Sequence, residues 1–188
     1  MSKKAFILLA EGFEDVEAMT PLDVLNRAGV DVKTVSITES YEVVSTSKMT
    51  YKTHLLLKDV LEEEIQLLVL PGGMPGTTNI AASEMCVDYI KAIHKKGILI
   101  AAICAAPGYV LAEACGLLKG VKACGYPGTE VKIKENGGIP LEEPVVVDKN
   151  FITSRSPGTA MIFAYTIVKE FVSEEKAKEL KGGMLMNF

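Results

Sequence analysis

The chain has 188 residues, the length of one ordinary domain, with 20 Lys and Arg against 24 Asp and Glu and a formal net charge of −4. Its 48% hydrophobic and 23% charged residues exclude a disordered chain, and the lack of a basic run excludes the usual footprint of a nucleic-acid-binding protein. Only two His accompany four Cys, fewer than most nucleophilic or metal sites require.

The first predicted element is a strand over residues 4–10. Its apolar run is only six residues long and acidic residues follow it, so the pattern does not fit a signal peptide. Apolar residues on consecutive positions are typical of a strand buried on both faces. No apolar run approaches the roughly 20 residues of a membrane span. These features favour a cytoplasmic protein with no membrane partner.

A helix is predicted next, from Glu14 to Ala28, with Gly29 as its C-cap. Within it, Thr20 resembles a fresh N-cap and Pro21 a first helical position, so we expect a kink or a break at Pro21. The four acids between residues 11 and 17 are typical of a helix N-terminus.

The remaining predicted elements alternate short β-rich runs with helical stretches. Strands are expected at 32–37, 65–70, 98–103, 145–147 and 151–153, with short strands or a hairpin in 42–56; helices are expected at 84–95, 107–115, 157–171 and 173–181. Residues 148–150 form a turn between the last two strands. This order predicts one α/β domain over residues 1–188 with a mostly parallel sheet.

Cys104 occupies the most informative position in the sequence. An apolar strand runs directly into it, and small residues then lead into a helix at Pro107, which is the layout of a nucleophile elbow. Ligands bind at the carboxyl ends of strands in open α/β sheets, and a helix N-terminus favours a thiolate there. The alternative is a buried structural cysteine, the fate we expect for Cys86, Cys115 and Cys124. Without a CxxC pair, these thiols are expected to be reduced, and no zinc site is predicted.

A glycine cluster follows another predicted strand, at residues 71–76. Bare backbone there could direct N–H groups at a developing oxyanion, although turns also use glycine for simpler reasons. The cluster matches neither the dinucleotide fingerprint nor the phosphate loop, so no nucleotide cofactor is predicted.

Five motifs in order resemble the DJ-1 (ThiJ/PfpI) superfamily, on the branch of the parkinsonism-associated protein and its bacterial relatives. They are AEGFEDVE at 10–17, DV at 23–24 with RAG at 27–29, VLPGG at 69–73, AAICA at 101–105, and TSR at 153–155 with PGT at 157–159. The resemblance implies a flavodoxin-like sandwich, with helices on both faces of the sheet, that usually forms a homodimer. It also implies that Cys104 is the nucleophile or oxidation site, that Glu17 is its carboxyl partner, and that Gly73 and Ala105 supply N–H groups around the sulfur.

Glu17 and Cys104 would repel each other if both were ionised. If Cys104 is the thiolate, Glu17 should hold the proton and donate a hydrogen bond to the sulfur, and the pair should titrate as a unit. Such a bond would also stabilise a sulfinate, so the site suits oxidation as well as attack.

The sequence departs from the family at the expected general base. Family branches with peptidase or amidotransferase character place His directly after the nucleophile, whereas this chain has Ala105. The parkinsonism-associated branch often has a His farther on, where this chain has Tyr126, a poor base at neutral pH. His94 is expected at the opposite end of its strand, and His54 in the hairpin region. A Cys–His peptidase is therefore disfavoured.

The weaker pocket candidates are Gly72, Tyr126, Arg155 and Pro157. Arg155 could accept an anionic group, although a structural ion pair is the simpler interpretation. Arg27 and Lys48 fall where the family can present cations near the pocket or the dimer surface.

Two function classes remain open. In the first, Cys104 attacks a small aldehyde such as methylglyoxal, and Glu17 moves protons during rearrangement to a hydroxy acid, without metal or glutathione. In the second, Cys104 is a peroxide-sensing thiol whose oxidation changes a chaperone or dimer surface. The sequence does not separate them.

Overall fold

The computed structural model describes residues 3–188, which form a central sheet covered by helices on both faces. The sheet has seven strands in the order β10-β11-β7-β6-β1-β2-β5, all parallel except β10. The strands are β1 (Lys4–Leu9), β2 (Asp31–Ser36), β3 (Glu42–Val44), β4 (Thr50–Lys52), β5 (Leu55–Leu56), β6 (Leu67–Leu70), β7 (Leu99–Ile103), β8 (Lys122–Ala123), β9 (Ile139–Pro140), β10 (Val145–Asp148) and β11 (Phe151–Ser154). The expected α/β sandwich is confirmed.

Six α-helices and one π-helix cover the sheet among these residues. They are α1 (Asp15–Arg27), α2 (Gly76–Ala82), α3 (Glu84–Lys95), the π-helix Pro107–Ala114, α4 (Glu130–Glu135), α5 (Ala160–Phe171) and α6 (Glu174–Gly183). Short 3₁₀ turns lie at Leu57–Asp59 and Pro157–Thr159. No helix of the described chain is long and apolar enough to cross a bilayer.

The core lies in two layers, one on each side of the sheet. Successive residues of β1 alternate between them: Phe6 and Leu8 pack toward α3 and the π-helix, whereas Ile7 and Leu9 pack toward α1 and α5. This alternation explains the continuous apolar run of the first strand, since both of its faces are buried.

The strand order places three loops at one edge of the sheet. Strands β1, β6 and β7 are consecutive neighbours and run parallel, so their carboxyl ends lie side by side. The acidic segment before α1, the glycine cluster and the turn at Cys104 follow these three ends. The fold therefore gathers Glu17, the glycine cluster and Cys104 at one edge of the sheet.

Of the kink or break expected at Pro21, the break is absent. Helix α1 is continuous from Asp15 to Arg27, and Thr20 does not cap a new helix. An internal proline lacks the N–H that would bond four residues back, at a cost of about 3 kcal/mol. Pro21 and its neighbours Ala18, Val24 and Leu25 are buried against the sheet, and this apolar contact holds the helix together.

Most other predicted elements are confirmed within one to three residues. Residues 42–56 do contain a hairpin, formed by β3 and β4, and the helix expected at 84–95 is α3. The helix expected after Pro107 exists but has π geometry. The sequence interpretation missed α2, α4, β8 and β9, which are short.

Candidate active site

Cys104 forms a strained elbow between β7 and the π-helix. Its φ is 65°, in the left-handed region that costs a non-glycine residue about 1–2 kcal/mol. The backbone is held on both sides: the Cys104 N–H donates to the Ser154 carbonyl (3.0 Å), and the Cys104 carbonyl accepts from the Tyr126 N–H (2.7 Å). Strain that the surroundings maintain in this way is a feature of functional sites.

Glu17 brings a buried carboxyl group into the crevice from the first turn of α1. Its side chain is fully buried, and its Oε2 accepts the Gly72 N–H at 2.9 Å. Its Oε1 is buried and has no hydrogen-bond partner, while the thiol of Cys104 lies beside the carboxyl group and lowers its pKa by hydrogen bonding. An unpaired buried oxygen is expensive, so Oε1 is suited to carry a proton and donate to the sulfur.

Gly72 provides the space in which the two groups meet. A Cβ at this position would lie 2.5 Å from the Cβ of Cys104 and 2.6 Å from Oε2 of Glu17. Both distances are far below van der Waals contact, so no larger residue fits while the pair keeps its geometry. Gly72 is therefore the spacer between strand β6 and the Glu17–Cys104 pair.

Two backbone N–H groups contact the sulfur. They belong to Gly73 and Ala105, the residues that the family resemblance implied. Gly73 has φ 91°, a conformation that glycine adopts without strain. N–H groups on a sulfur favour its charged form.

The electrostatics of the pair oppose double ionisation. Burial raises the pKa of Glu17 to about 7, and the charge of Glu14 adds to this rise, whereas hydrogen bonds with Cys104 and Gly72 lower it. Burial and the neighbouring Glu17 also raise the pKa of the Cys104 thiol, against the two N–H groups. Burial is the largest cause of both rises, and the charge of Glu17 adds to the rise at Cys104, so the pair resists carrying two negative charges.

Cys104 differs from the other three cysteines in exposure. It is partly exposed, whereas Cys86, Cys115 and Cys124 are buried. Burial raises the pKa of Cys115 to about 11 and also raises the pKa of Cys86. Cys124 has a structural partner, because its thiol donates to the Thr153 carbonyl at 3.1 Å.

The remaining pocket candidates surround the elbow only in part. Tyr126 contacts it through the backbone, and its side chain is 48% exposed. Arg155 forms an ion pair with Glu130 (3.6 Å) and donates to the Glu142 carbonyl (3.0 Å), the structural alternative foreseen for it. Pro157 is exposed at the start of a 3₁₀ turn.

Neither histidine belongs to the pair. His94 stacks on Phe151, which is aligned with the beginning of β7, so it lies at the opposite end from Cys104 as expected. His54 lies beyond β2, where its Nδ1 is 2.8 Å from the Thr34 hydroxyl.

The two weaker cationic candidates also lie outside the pair. Arg27 is paired with Asp23 at 2.8 Å on the exposed side of α1. Lys48 lies in the turn of the β3–β4 hairpin with φ 67°. Within residues 3–188 no group of three or more His, Cys, Asp or Glu side chains is arranged to hold a metal ion.

Glu14 contributes to the site and was not singled out from the sequence. Its carboxylate caps α1 by accepting the Glu17 N–H at 2.7 Å, and its own N–H donates to the Gly72 carbonyl at 3.0 Å. The acidic cluster was the available signal, but a cluster of acids does not reveal which member faces the crevice.

The family model, the related sequences and the solved structures similar to this chain all belong to one family. The model of the DJ-1/PfpI family matches residues 3–170. Protein dj-1beta of Drosophila melanogaster is 35% identical over the full length of both chains, and its crystal structure superposes with a TM-score of 0.94 over all of both chains. A structure titled oxidized DJ-1 of Toxoplasma gondii is 30% identical over all of both chains, also with a TM-score of 0.94.

One further relative is much longer than this chain, and another has an activity in its name. Protein DJ-1 homolog A of Arabidopsis thaliana is 40% identical over 172 residues, which are 92% of this chain but 43% of that protein. The chain thus spans less than half of the Arabidopsis relative. A protein of Caenorhabditis elegans named glutathione-independent glyoxalase DJR-1.2 is 34% identical over 180 residues, 95% of this chain and 94% of that one.

Proposed function

The chain belongs to the DJ-1/PfpI family, and on this premise we propose that it is a cysteine-dependent, glutathione-independent enzyme of glyoxalase or deglycase type. Its substrates are small reactive carbonyls such as methylglyoxal. The observation that carries the proposal is the buried carboxyl of Glu17, which faces the side chain of Cys104 across Gly72. The relative named a glutathione-independent glyoxalase supports the same chemistry.

Cys104 is the nucleophile in this proposal, and Glu17 holds the proton in the resting pair. Burial raises the pKa of Cys104 most, and the charge of Glu17 raises it further; this second contribution is absent while Glu17 is neutral. The sulfur then keeps the favourable N–H groups of Gly73 and Ala105, and it lies at the N-terminal side of the π-helix. The thiolate is the form that attacks carbonyl carbon.

The first step joins the sulfur to the aldehyde carbon of methylglyoxal. A lone pair of the Cys104 thiolate forms the S–C bond, and the carbonyl π electrons move to oxygen, which takes the Glu17 proton. The product is a hemithioacetal, and Glu17 is left as a carboxylate. Nearby N–H groups stabilise the oxyanion as it develops.

Glu17 then acts as the base. Its carboxylate removes the hydrogen from the former aldehyde carbon, giving an enediolate. The hydroxyl proton passes from the oxygen of this carbon to the oxygen of the adjacent carbon, and Glu17 returns the abstracted proton to the adjacent carbon, giving a lactoyl thioester on Cys104. Water hydrolyses the thioester, which releases lactate and restores the thiol–carboxyl pair. The net reaction is methylglyoxal plus water to lactic acid, with no redox cofactor consumed. A deglycase reaction would begin with the same attack on a carbonyl-derived adduct.

The decisive experiment is turnover of methylglyoxal by purified protein without glutathione. We expect Cys104→Ala to abolish lactate formation, because the nucleophile is gone. Cys115→Ala, which removes a buried thiol outside the crevice, should stay near wild type. Equal rates for wild type and Cys104→Ala would refute the proposal.

A second candidate function is a peroxide sensor or redox-regulated chaperone that uses Cys104. It is favoured by one observation, that Cys104 alone among the four cysteines is partly exposed. A Glu17 proton donated to sulfur would stabilise a sulfinate as it stabilises a thiolate. The two candidates use the same pair and differ in whether a carbonyl substrate is turned over.

We also propose that the protein forms a homodimer through an apolar groove on α1, α5 and the C-terminal segment. Val16 and Met161 are 47% and 38% exposed there, and Met19 and Met184 are partly exposed. Large apolar side chains clustered at the surface are typical of association sites. A second copy is the occupant that the family membership favours.

A further inference from the structure

Gly72 connects two acids through its backbone. Its carbonyl accepts the Glu14 N–H at 3.0 Å, and its N–H donates to Glu17 Oε2 at 2.9 Å. The Glu14 carboxylate in turn accepts the Glu17 N–H at 2.7 Å. These three bonds fix the Glu14 carboxylate next to the first turn of α1, within reach of the charge on Glu17.

We propose that Glu14 is a positioning residue whose negative charge keeps the shared proton on Glu17 and so leaves the negative charge of the pair on Cys104. This proposal rests on the proposed function, in which Cys104 reacts as the thiolate. Glu14 does not touch the substrate or the reacting atoms. It acts through Glu17.

The placement of charges around the pair supports a proton on Glu17 and a negative charge on Cys104. Glu17 faces two titratable groups, Glu14 from its own helix N-terminus and Cys104 from the elbow, and the charge of Glu14 raises the pKa of Glu17 in addition to burial. Cys104 faces Glu17 as its titratable neighbour, and the N–H groups of Gly73 and Ala105 complete its surroundings. A carboxylate beside Glu17 disfavours the state in which Glu17 is charged more than the state in which the sulfur is charged.

The other acids of this segment point elsewhere. Asp15 accepts from the Ser47 hydroxyl (2.8 Å) and the Tyr51 hydroxyl (2.9 Å), and it ties the β3–β4 hairpin to α1. Glu11 accepts the Val44 N–H at 3.1 Å. Neither carboxylate contacts Glu17, so Glu14 is the acid of this segment that acts on the proton of the pair.

The test measures the rate at which iodoacetamide alkylates Cys104 from pH 5 to pH 10, followed by peptide mass spectrometry. Glu14→Gln keeps the size and an acceptor for the Glu17 N–H but removes the charge. We expect its rate at pH 7 to fall about two- to fivefold, the range of a screened charge pair, because part of the thiolate population becomes Glu17 carboxylate with neutral thiol. Glu14→Ser, a neutral residue favoured at N-caps, should fall likewise, and Glu14→Asp should remain near wild type.

Two controls distinguish the effect of a lost charge from the effect of a disrupted fold. Glu11→Gln removes a carboxylate from the same segment and should leave the pH profile unchanged. Thermal unfolding identifies any variant whose loss of reactivity comes from a disrupted fold. An unchanged or faster rate in Glu14→Gln would overturn the proposal, and a faster rate would place the resting charge on Glu17. The assay contains no carbonyl substrate, so it can fail or succeed independently of methylglyoxal turnover.

Discussion

Glu17, in the first turn of α1, and Cys104, at the end of β7, meet as hydrogen-bond partners through the gap left by a glycine. Strand β6 lies between β1 and β7 and places Gly72 between the two side chains. Because Glu17 is buried and the two groups face each other, the protonation of either depends on the other. A change at one of the two side chains should therefore be measurable at the other.

The first prediction concerns stability against pH. The pKa of Glu17 rises from 4.5 to about 7 in the folded protein, so between these values the folded state binds more protons than the unfolded state. Wild-type stability should therefore fall as the pH rises from about 4.5 to 7. The loss is on the order of 3 kcal/mol.

Glu17→Gln removes this titration while keeping the shape of the side chain. We expect the variant to gain stability relative to wild type when the pH rises from 5 to 8, measured by urea unfolding at both values. If the difference in the free energy of unfolding between wild type and Glu17→Gln stayed constant over this pH range, the raised pKa of Glu17 would be contradicted. Methylglyoxal turnover should be lost in the variant at every pH, since an amide cannot shuttle the proton.

The second prediction concerns the space at Gly72. In Gly72→Ala the new methyl group would collide with both Cys104 and Glu17. We expect turnover to fall at least about tenfold and the free energy of unfolding to fall by about 1–3 kcal/mol, the usual cost of overpacking. Steady-state kinetics and urea unfolding measure the two effects.

Gly182→Ala is the matched control for this change. Gly182 lies in α6, and a Cβ at this position would meet nothing within 4 Å. Alanine favours a helix interior, so this variant should be as active as wild type and equally or slightly more stable, by up to about 1 kcal/mol. If Gly72→Ala behaved like Gly182→Ala, the close approach at the pair would be refuted.

The third prediction concerns oxidation. Mild peroxide should add two oxygens to Cys104 before it modifies any other cysteine, because the other three thiols are buried. Peptide mass spectrometry over a peroxide titration measures the order. Random modification of the four cysteines would count against the sensor function and against a selectively reactive thiol at Cys104. Glu17→Gln should yield less sulfinate, because it loses the acidic hydrogen-bond donor.

The fourth prediction concerns assembly. Light scattering during gel filtration should give twice the monomer mass for the wild type. Met161→Lys introduces a charge into the apolar groove and should shift the protein toward monomer. Val147→Lys changes a residue of similar exposure on β10, outside the groove, and should leave the dimer intact. A monomeric wild type would remove the dimer proposal.

The elements that the sequence predicted well are those whose pattern is local. The apolar run of β1 and the helical spacing in α3 each predict a single structure, and the structure agrees. A kink or break is expected at Pro21 because its local cost is visible in the sequence, whereas the core contacts that offset this cost are not. The π geometry after Pro107 was likewise invisible, since apolar residues at helical spacing do not distinguish the two windings.

The residues of the site also divide into those that the sequence reveals and those whose roles require the structure. Cys104 could be found from residue order alone, because a strand that runs into small residues and a helix must turn sharply at that point. The acids around residue 14 were visible as a group, but their separate roles were not. Glu14 caps the helix, Asp15 holds the hairpin and Glu17 faces inward, and these directions depend on how α1 packs on the sheet.

The scarcity of histidine is a property of the sequence by itself, as are the α/β class and the cysteine at the elbow. With two His in the chain, the sequence already disfavoured a Cys–His dyad. Only the tertiary structure shows which groups surround the sulfur. The order of β1, β6 and β7 brings a buried carboxyl and two N–H groups to the sulfur, because the carboxyl ends of neighbouring parallel strands share one edge of the sheet.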